Sequence, residues 1–257
     1  MNQSFNITRF QRMLKFYIAE YRRSYLITLA LMVGGMLLLM SPILATERYN
    51  DLLYGLHISS IFVVILGSSL FTGTAFSAYN NPSQGIPALM LPASRLEKFL
   101  VIWLANLLFV VLVAGIFYYL HHGLIYLANQ DMTPTVQHYW PLPSEVFGFI
   151  GFSYFLLQGA CFLGSLYFTK NAFIKTLGVL MLALVLAFGF NLFLAYQFTG
   201  TPDHINTFPF TFWDVLEGRH YRVVFPSSVS TLTKVFLAGV VIALWAITYV
   251  RLKEKEI

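Results

Sequence analysis

The sequence predicts an all-α polytopic membrane protein: six transmembrane helices, an N-terminal amphipathic elbow helix, both termini in the cytoplasm, and a semi-buried outer segment between helices five and six. Three observations support this. The chain is 58% hydrophobic and only 11% charged over 257 residues, with a mean hydropathy of +0.69, far from the balance of a soluble domain. Six stretches, 24–45, 55–79, 99–127, 146–168, 176–198 and 232–250, provide the roughly 20 helical residues needed to cross a hydrocarbon core of about 30 Å, and none holds Asp or Glu. Twelve of the 16 Lys and Arg residues lie beside alternate ends of those stretches. The apolar runs are continuous rather than alternating every second residue, which excludes a barrel.

Taken in order, residues 1–23 come first. Ile7, Phe10, Leu14, Tyr17 and Tyr21 recur at steps of three and four, and Arg9, Gln11, Arg12, Lys15, Glu20 and Arg22 take the other faces. Such a helix lies in the headgroup layer with its bases near anionic lipid. Arg22 and Arg23 favour a bend before span one; the alternative is that the segment is the juxtamembrane end of that span. Its length and charge read as an uncleaved anchor, not a signal peptide. Asn2 and Asn6 begin N-x-S and N-x-T triplets that face the cytoplasm and carry no glycosylation expectation.

Spans one and two are joined outside near Glu47 and Asp51, and spans two and three by the cytoplasmic segment 80–98. Residues 128–145, with Trp140 at interface depth, join three to four outside, and the short basic stretch Thr169 to Lys175 joins four to five. The connection 199–231 contains FPFTFWDVL and YRVVF, too apolar for a solvated loop and too short to cross. Residues 207–216 therefore read as a partly re-entrant or surface-lying segment at the outer mouth, or as a folded extracellular cap. No internal repeat divides the chain, so a carrier built from two halves is unsupported, and 1–257 forms a single transmembrane domain.

Orientation follows from the bases. Arg9, Arg12, Lys15, Arg22 and Arg23 precede span one, Arg95 and Lys98 precede span three, Lys170 and Lys175 lie between spans four and five, and Arg251, Lys253 and Lys255 follow span six. Only Arg48, Arg219, Arg222 and Lys234 fall on the other side, so the positive-inside rule puts both termini in the cytoplasm.

The chemistry that is missing narrows the function. The span interiors offer neutral polar groups: Ser59, Ser60, Ser68, Ser69, Thr72, Thr74, Asn106, Gln158 and Asn191. No proton relay is drawn from these, and no catalytic acid, base or nucleophile pair lies at membrane depth, so no enzymatic site is expected. His121, His122 and His138 have the wrong spacing for zinc, and no metal is expected. Cys161 stands alone and reads as packing. Without G-x-x-x-x-G-K-[ST] the chain cannot itself cradle nucleotide phosphates, so any energy from ATP would have to come from another subunit. Small residues concentrate in GSSLFTGTAFS (67–77) and at Gly148, Gly151, Gly159 and Gly164. They serve close helix packing within the chain, or a dimer seam or substrate-facing wall.

The stretch ALMLPASRLEKFL (88–100) breaks the apolar pattern. Ser94 and Glu97 form a capping box, so span three begins near Arg95, and Pro92 stops the preceding segment. Upstream, Ser83 is a candidate N-cap, and Ile86, Leu89 and Met90 form an exposed apolar edge. A short helix of this kind is shaped to plug a groove in a soluble partner; a plain loop is the alternative.

This layout resembles the permease subunits of ATP-binding-cassette (ABC) exporters of the type-2 permease family. LPASRLEKF (91–99) is similar to the L-P-A-S-x-x-E-K signature common in permeases of Bacteroidetes and related bacteria. The resemblance implies an ABC ATPase docked in the cytoplasm through 83–91, with Ser83, Ile86, Leu89, Met90, Pro92, Ser94, Arg95 and Glu97 as coupling residues. It implies a second permease copy or homologue, with Ser68, Thr72 and Asn191 near the translocation path or dimer seam. The chain itself would hold no cofactor, with ATP and Mg in the ATPase. The location implied is the bacterial cytoplasmic membrane, and the partners are protein and lipid bilayer, not nucleic acid. An uncharged lining favours a lipid, hydrophobic peptide or drug as substrate. A different expectation is a non-transporting membrane scaffold that recruits a cytoplasmic partner.

Overall fold

The protein is mostly helical. The computed structural model describes residues 5–46, 48–80, 93–130, 132, 137–199, 204–208, 212–217 and 219–255. In chain order the elements are α1 (Ile7–Met40), a 3-10 turn (Ser41–Ala45), α2 (Asp51–Ser59), α3 (Ile61–Thr72), a 3-10 turn (Ser77–Asn80), α4 (Arg95–Gln130), α5 (Ser144–Tyr167) and α6 (Ala172–Thr199). Strands β1 (His204–Phe208), β2 (Phe212–Glu217) and β3 (Arg219–Val224) follow, then α7 (Ser227–Lys255). Six helical stretches are long and apolar enough to cross a membrane: α1 with its 3-10 extension, α2 with α3, α4, α5, α6 and α7. This is a multi-pass membrane architecture.

Helix α1 starts at Asn6, whose side-chain oxygen accepts the N–H groups of Thr8 at 2.9 Å and Arg9 at 3.3 Å, satisfying two donors that the first turn cannot. The helix runs for 34 residues, about 51 Å at 1.5 Å per residue. The separate elbow expected over 1–23 is therefore corrected: the described part is the first half of one rod that continues through Arg22 and Arg23. Nothing there stops it, since the first glycine is Gly34 and the first proline Pro42.

Span two also differs from the expected 55–79. It begins earlier, at Asp51 under an Asn50 cap, is interrupted at Ser60, and ends as α-helix at Thr72. The interruption has a local cause. Ser59 Oγ donates to Leu56 O at 2.7 Å and Ser60 Oγ to His57 O at 2.5 Å, so hydroxyls compete with the helix for its own carbonyls.

Three apolar clusters order the helices. Met32, Met36 and Met40 of α1 pack with Ile61 and Val64 of α3 and Phe109, Val113 and Phe117 of α4. One end is closed by Ile43, Ile125, Ala128 and Tyr139. At the opposite end Phe76, Phe99, Ile102, Phe162 and Leu252 meet beside Tyr17 and Tyr249. The early part of α1, the start of α4 and the end of α7 thus share one end of the bundle.

The glycines of span four divide by role. A Cβ on Gly159 would meet Leu244 Cβ at 3.2 Å, and one on Gly164 would overlap the Thr176 hydroxyl and stand 2.9 Å from Thr176 Cβ. These are the close approaches of α5 to α7 and to α6. The short α5–α6 connection closes through Asn171, which takes a left-handed φ of 53°, a conformation asparagine tolerates. Gly148 and Gly151 face open space. Helix α6 is held mainly near its ends, and residues 181–190 are all exposed.

The described residues of the segment expected to be re-entrant, surface-lying or a folded cap over 207–216 belong to an antiparallel meander in the order β1-β2-β3. Trp213 and Val215 point into a small core with Ala195 of α6. Between them Asp214 turns outward and accepts from Arg222 Nε at 2.6 Å. Ladder pairing satisfies the backbone that an irregular segment would leave open.

Gly164→Ala is expected to cost about 1–3 kcal/mol through overpacking, because rotating Thr176 does not clear its Cβ. Gly148→Ala should leave stability equal or higher, since Ala favours helix over Gly by about 1 kcal/mol. Unfolding in detergent compares the two.

Candidate functional site

The turn into α4 is built as its sequence requires. Ser94 Oγ accepts the Glu97 N–H at 3.3 Å, and Glu97 Oε2 accepts the Ser94 N–H at 2.8 Å, the reciprocal pair of a capping box. The Glu97 carboxylate does more than cap. It is fully buried and accepts Arg9 Nε at 2.7 Å on Oε2, and Arg9 Nη2 at 2.7 Å and the Asn6 N–H at 2.6 Å on Oε1. An arginine fork on a carboxylate is among the most directional ion pairs a protein makes. Asn6 therefore has two roles, capping α1 with its side chain and binding α4 with its backbone.

Of the predicted coupling residues, Ser94 and Glu97 are brought together here, and Arg95 begins α4. Ser83, Ile86, Leu89, Met90 and Pro92 lie outside the described residues. The Arg9 partner was invisible to local reading, because it stands 88 positions away. The available signal was a lone acid at the edge of an apolar span.

A second polar group sits inside the bundle. Ser68 and Thr72 on α3 are fully buried, and their hydroxyls donate back to Val64 O and Ser68 O. Thr72 Oγ1 also lies 3.3 Å from Asn106 Oδ1 on α4, and the Tyr154 phenol on α5 faces both hydroxyls. Gln158, one turn along α5, is also fully buried. The result is a neutral seam shared by α3, α4 and α5. Asn191, expected with Ser68 and Thr72 near a translocation path or dimer seam, is not brought together with them within this chain: its Oδ1 accepts Trp213 Nε1 at 3.3 Å. It ties α6 to the sheet, because an indole N–H buried among apolar residues needs an acceptor.

The expectation of neutral groups alone in the spans is also corrected. His57 of α2 and His121 of α4 are both fully buried, with Nε2 of the first 2.9 Å from Nδ1 of the second. His57 Nδ1 lies 3.2 Å from Met40 O, and the Leu142 N–H donates to His121 Nε2 at 3.0 Å. His122 points elsewhere, its Nδ1 near Tyr118 O, as neighbouring helical residues must. Among the described residues no three His, Cys, Asp or Glu side chains gather as a metal site.

No family model, curated protein or solved structure matches this chain. Its function is therefore read from geometry. The described residues present an ionic brace at one end, an uncharged polar seam within the membrane-spanning bundle, and an imidazole pair near the other end.

A double-mutant cycle should separate the brace from its parts. Arg9→Ala and Glu97→Ala are each expected to lower the thermal midpoint by several degrees. The double variant should lie near the worse single, because either change already breaks the same fork. Additive losses would mean that the two groups act independently.

Proposed function

We propose that this chain is the permease subunit of an ABC exporter, coupling hydrolysis by a separate ATPase to outward movement of an amphipathic or hydrophobic substrate: a lipid, peptide or drug. The observation that carries this reading is the brace at Glu97. The motif LPASRLEKF (91–99) ends in a glutamate that grips both its own turn and, through Arg9 and Asn6, the start of α1. A displacement delivered to the cytoplasmic segment before Ser94 would move α4 and α1 together instead of being absorbed by a loop.

Other features agree. The basic residues flank the bundle end where α1 begins, α4 begins and α7 finishes, which favours cytoplasmic termini under the positive-inside rule. The seam of Ser68, Thr72, Asn106 and Gln158 provides hydrogen-bonding groups without charge, a lining suited to an amphipathic solute. The exposed stretch 181–190 of α6 leaves room for a second permease, either a copy or a homologue. ATP and Mg belong to the ATPase in this scheme. The location is a bacterial cytoplasmic membrane.

Purified alone, the chain should hydrolyse no ATP, and it should co-purify with a soluble ATPase carrying a phosphate-binding loop. Replacing Leu89 and Met90 by Asp should abolish that association while all six spans stay inserted. Retention of the ATPase by the double variant would show the contact to be misplaced. ATPase activity unchanged by reconstitution with the chain would favour the non-transporting scaffold.

A further inference from the structure

The two buried imidazoles admit one arrangement of protons. A backbone N–H only donates, so His121 Nε2, facing the Leu142 N–H at 3.0 Å, is a bare lone pair and the His121 proton sits on Nδ1. That proton points at His57 Nε2, 2.9 Å away, which must then accept. The His57 proton is left on Nδ1, where it meets Met40 O at 3.2 Å. A carbonyl only accepts, so reasoning from the Met40 end gives the same assignment. All four ring nitrogens are occupied and both rings are neutral.

The relay tolerates no extra proton. A third ring proton, wherever it sits, turns one contact into donor against donor: His121 Nε2 against the Leu142 N–H, or His57 Nε2 against His121 Nδ1. The contacts it would break join four parts of the fold: the last turn of α1, α2, α4 and the segment entering α5. Pro141 and Pro143 flank Leu142, so its N–H is the sole backbone donor of that tripeptide. The Phe117 ring stacks on His121 at 5.6 Å and 9°, leaving that side of the imidazole apolar. Titratable neighbours on the packed elements are His122 on α4, Asp51 and Tyr54 on α2, Arg48 ahead of α2, His138 and Tyr139 ahead of α5, and Glu145 at the start of α5. Among the described side chains none of these bonds either ring.

We propose that His57 and His121 form an acid-released latch, in which uptake of one proton at His121 Nε2 breaks the relay and frees Leu142 from α4. Histidine is the side chain suited to this because its ordinary titration lies near neutral pH. The neighbouring anchor survives: Asn129 clasps the backbone of Tyr139 through two 2.9 Å hydrogen bonds, so the segment pivots there. The latch stands apart from the exporter reading. With cytoplasmic termini it would face the exterior.

The test uses the full chain in lipid nanodiscs between pH 8 and pH 4. Histidine-selective 15N NMR should show both rings as Nδ1–H tautomers at pH 8, with imidazolium signals appearing on acidification. Over the same range the Leu142 amide should exchange with deuterium about tenfold faster after correction for intrinsic chemistry, while the Tyr139 amide and residues 95–102 stay protected. His121→Gln keeps an acceptor for the Leu142 N–H but no ring nitrogen that takes up a proton, so it should remove the pH response of Leu142 exchange. An Nε2–H tautomer on either ring at pH 8, loss of protection throughout the chain, or a wild-type profile matching that of His121→Gln would each overturn the latch. If the variant does not fold, the wild-type tautomers and the Leu142 amide decide alone.

Discussion

In hydrocarbon no water is present to satisfy a backbone N–H or C=O, and this constraint shapes the whole chain. Six helical stretches meet it internally. At three described departures from regular helix a substitute partner is found nearby. At Ser60 the hydroxyl takes a helix carbonyl, at Met40 an imidazole takes one of the last α1 carbonyls, and strands 204–208, 212–217 and 219–224 pair with one another as a meander. Two buried side chains follow the same rule. Buried Glu97 accepts from four donor groups, on Arg9, Asn6 and Ser94, and buried Trp213 finds Asn191, because an unpaired polar group away from water costs several kcal/mol.

That rule separates what was legible in the sequence from what was not. Span number and approximate position follow from continuous apolarity, a local property, and the capping box at Ser94 and Glu97 is set by a spacing of three. The partners that give Glu97, His57 and Asn191 their roles lie 88, 64 and 22 positions away. No periodicity records such pairings, since they are chosen when helices dock. Local signals were also outweighed. Arg22 and Arg23 marked a bend in charge pattern, but a helix with no glycine or proline there has no reason to stop. The meander was hidden for another reason: FPFTFWDVL reads as an apolar run, and the alternation of Trp213 and Val215 against Asp214 spans only three residues.

The small residues show how one composition serves two ends. Gly159 and Gly164 stand where α7 and α6 come closest to α5, and there the missing side chain is filled by Leu244 and Thr176. A Cβ on Gly148 or Gly151, on the same helix, would meet nothing within 4 Å. Van der Waals contact, not hydrophobic burial, holds helices together in lipid, so such glycines determine which helix pairs are tight. α5 is tight against α6 only near the start of α6. Beyond that point residues 181–190 of α6 are all exposed, and Asn191 and Ala195 reach the sheet.

These features distribute stiffness unevenly, and the distribution bears on function. At the end where α4 begins, Glu97 locks α1 to α4 by a charged fork that is hard to stretch. At the other end the same two helices are joined by apolar packing and, through α2, by a chain of neutral hydrogen bonds running Leu142 to His121 to His57 to Met40, each individually weak in net terms at about 1 kcal/mol. Two rods held by an ion pair at one end and by side-chain packing with weak hydrogen bonds at the other splay more readily at the second. A bundle of this kind yields where the imidazoles are while α1 and α4 stay together at the brace, and an uncharged seam between α3, α4 and α5 lies between the two. Any motion that opens that seam is therefore biased toward the histidine end, whatever supplies the force.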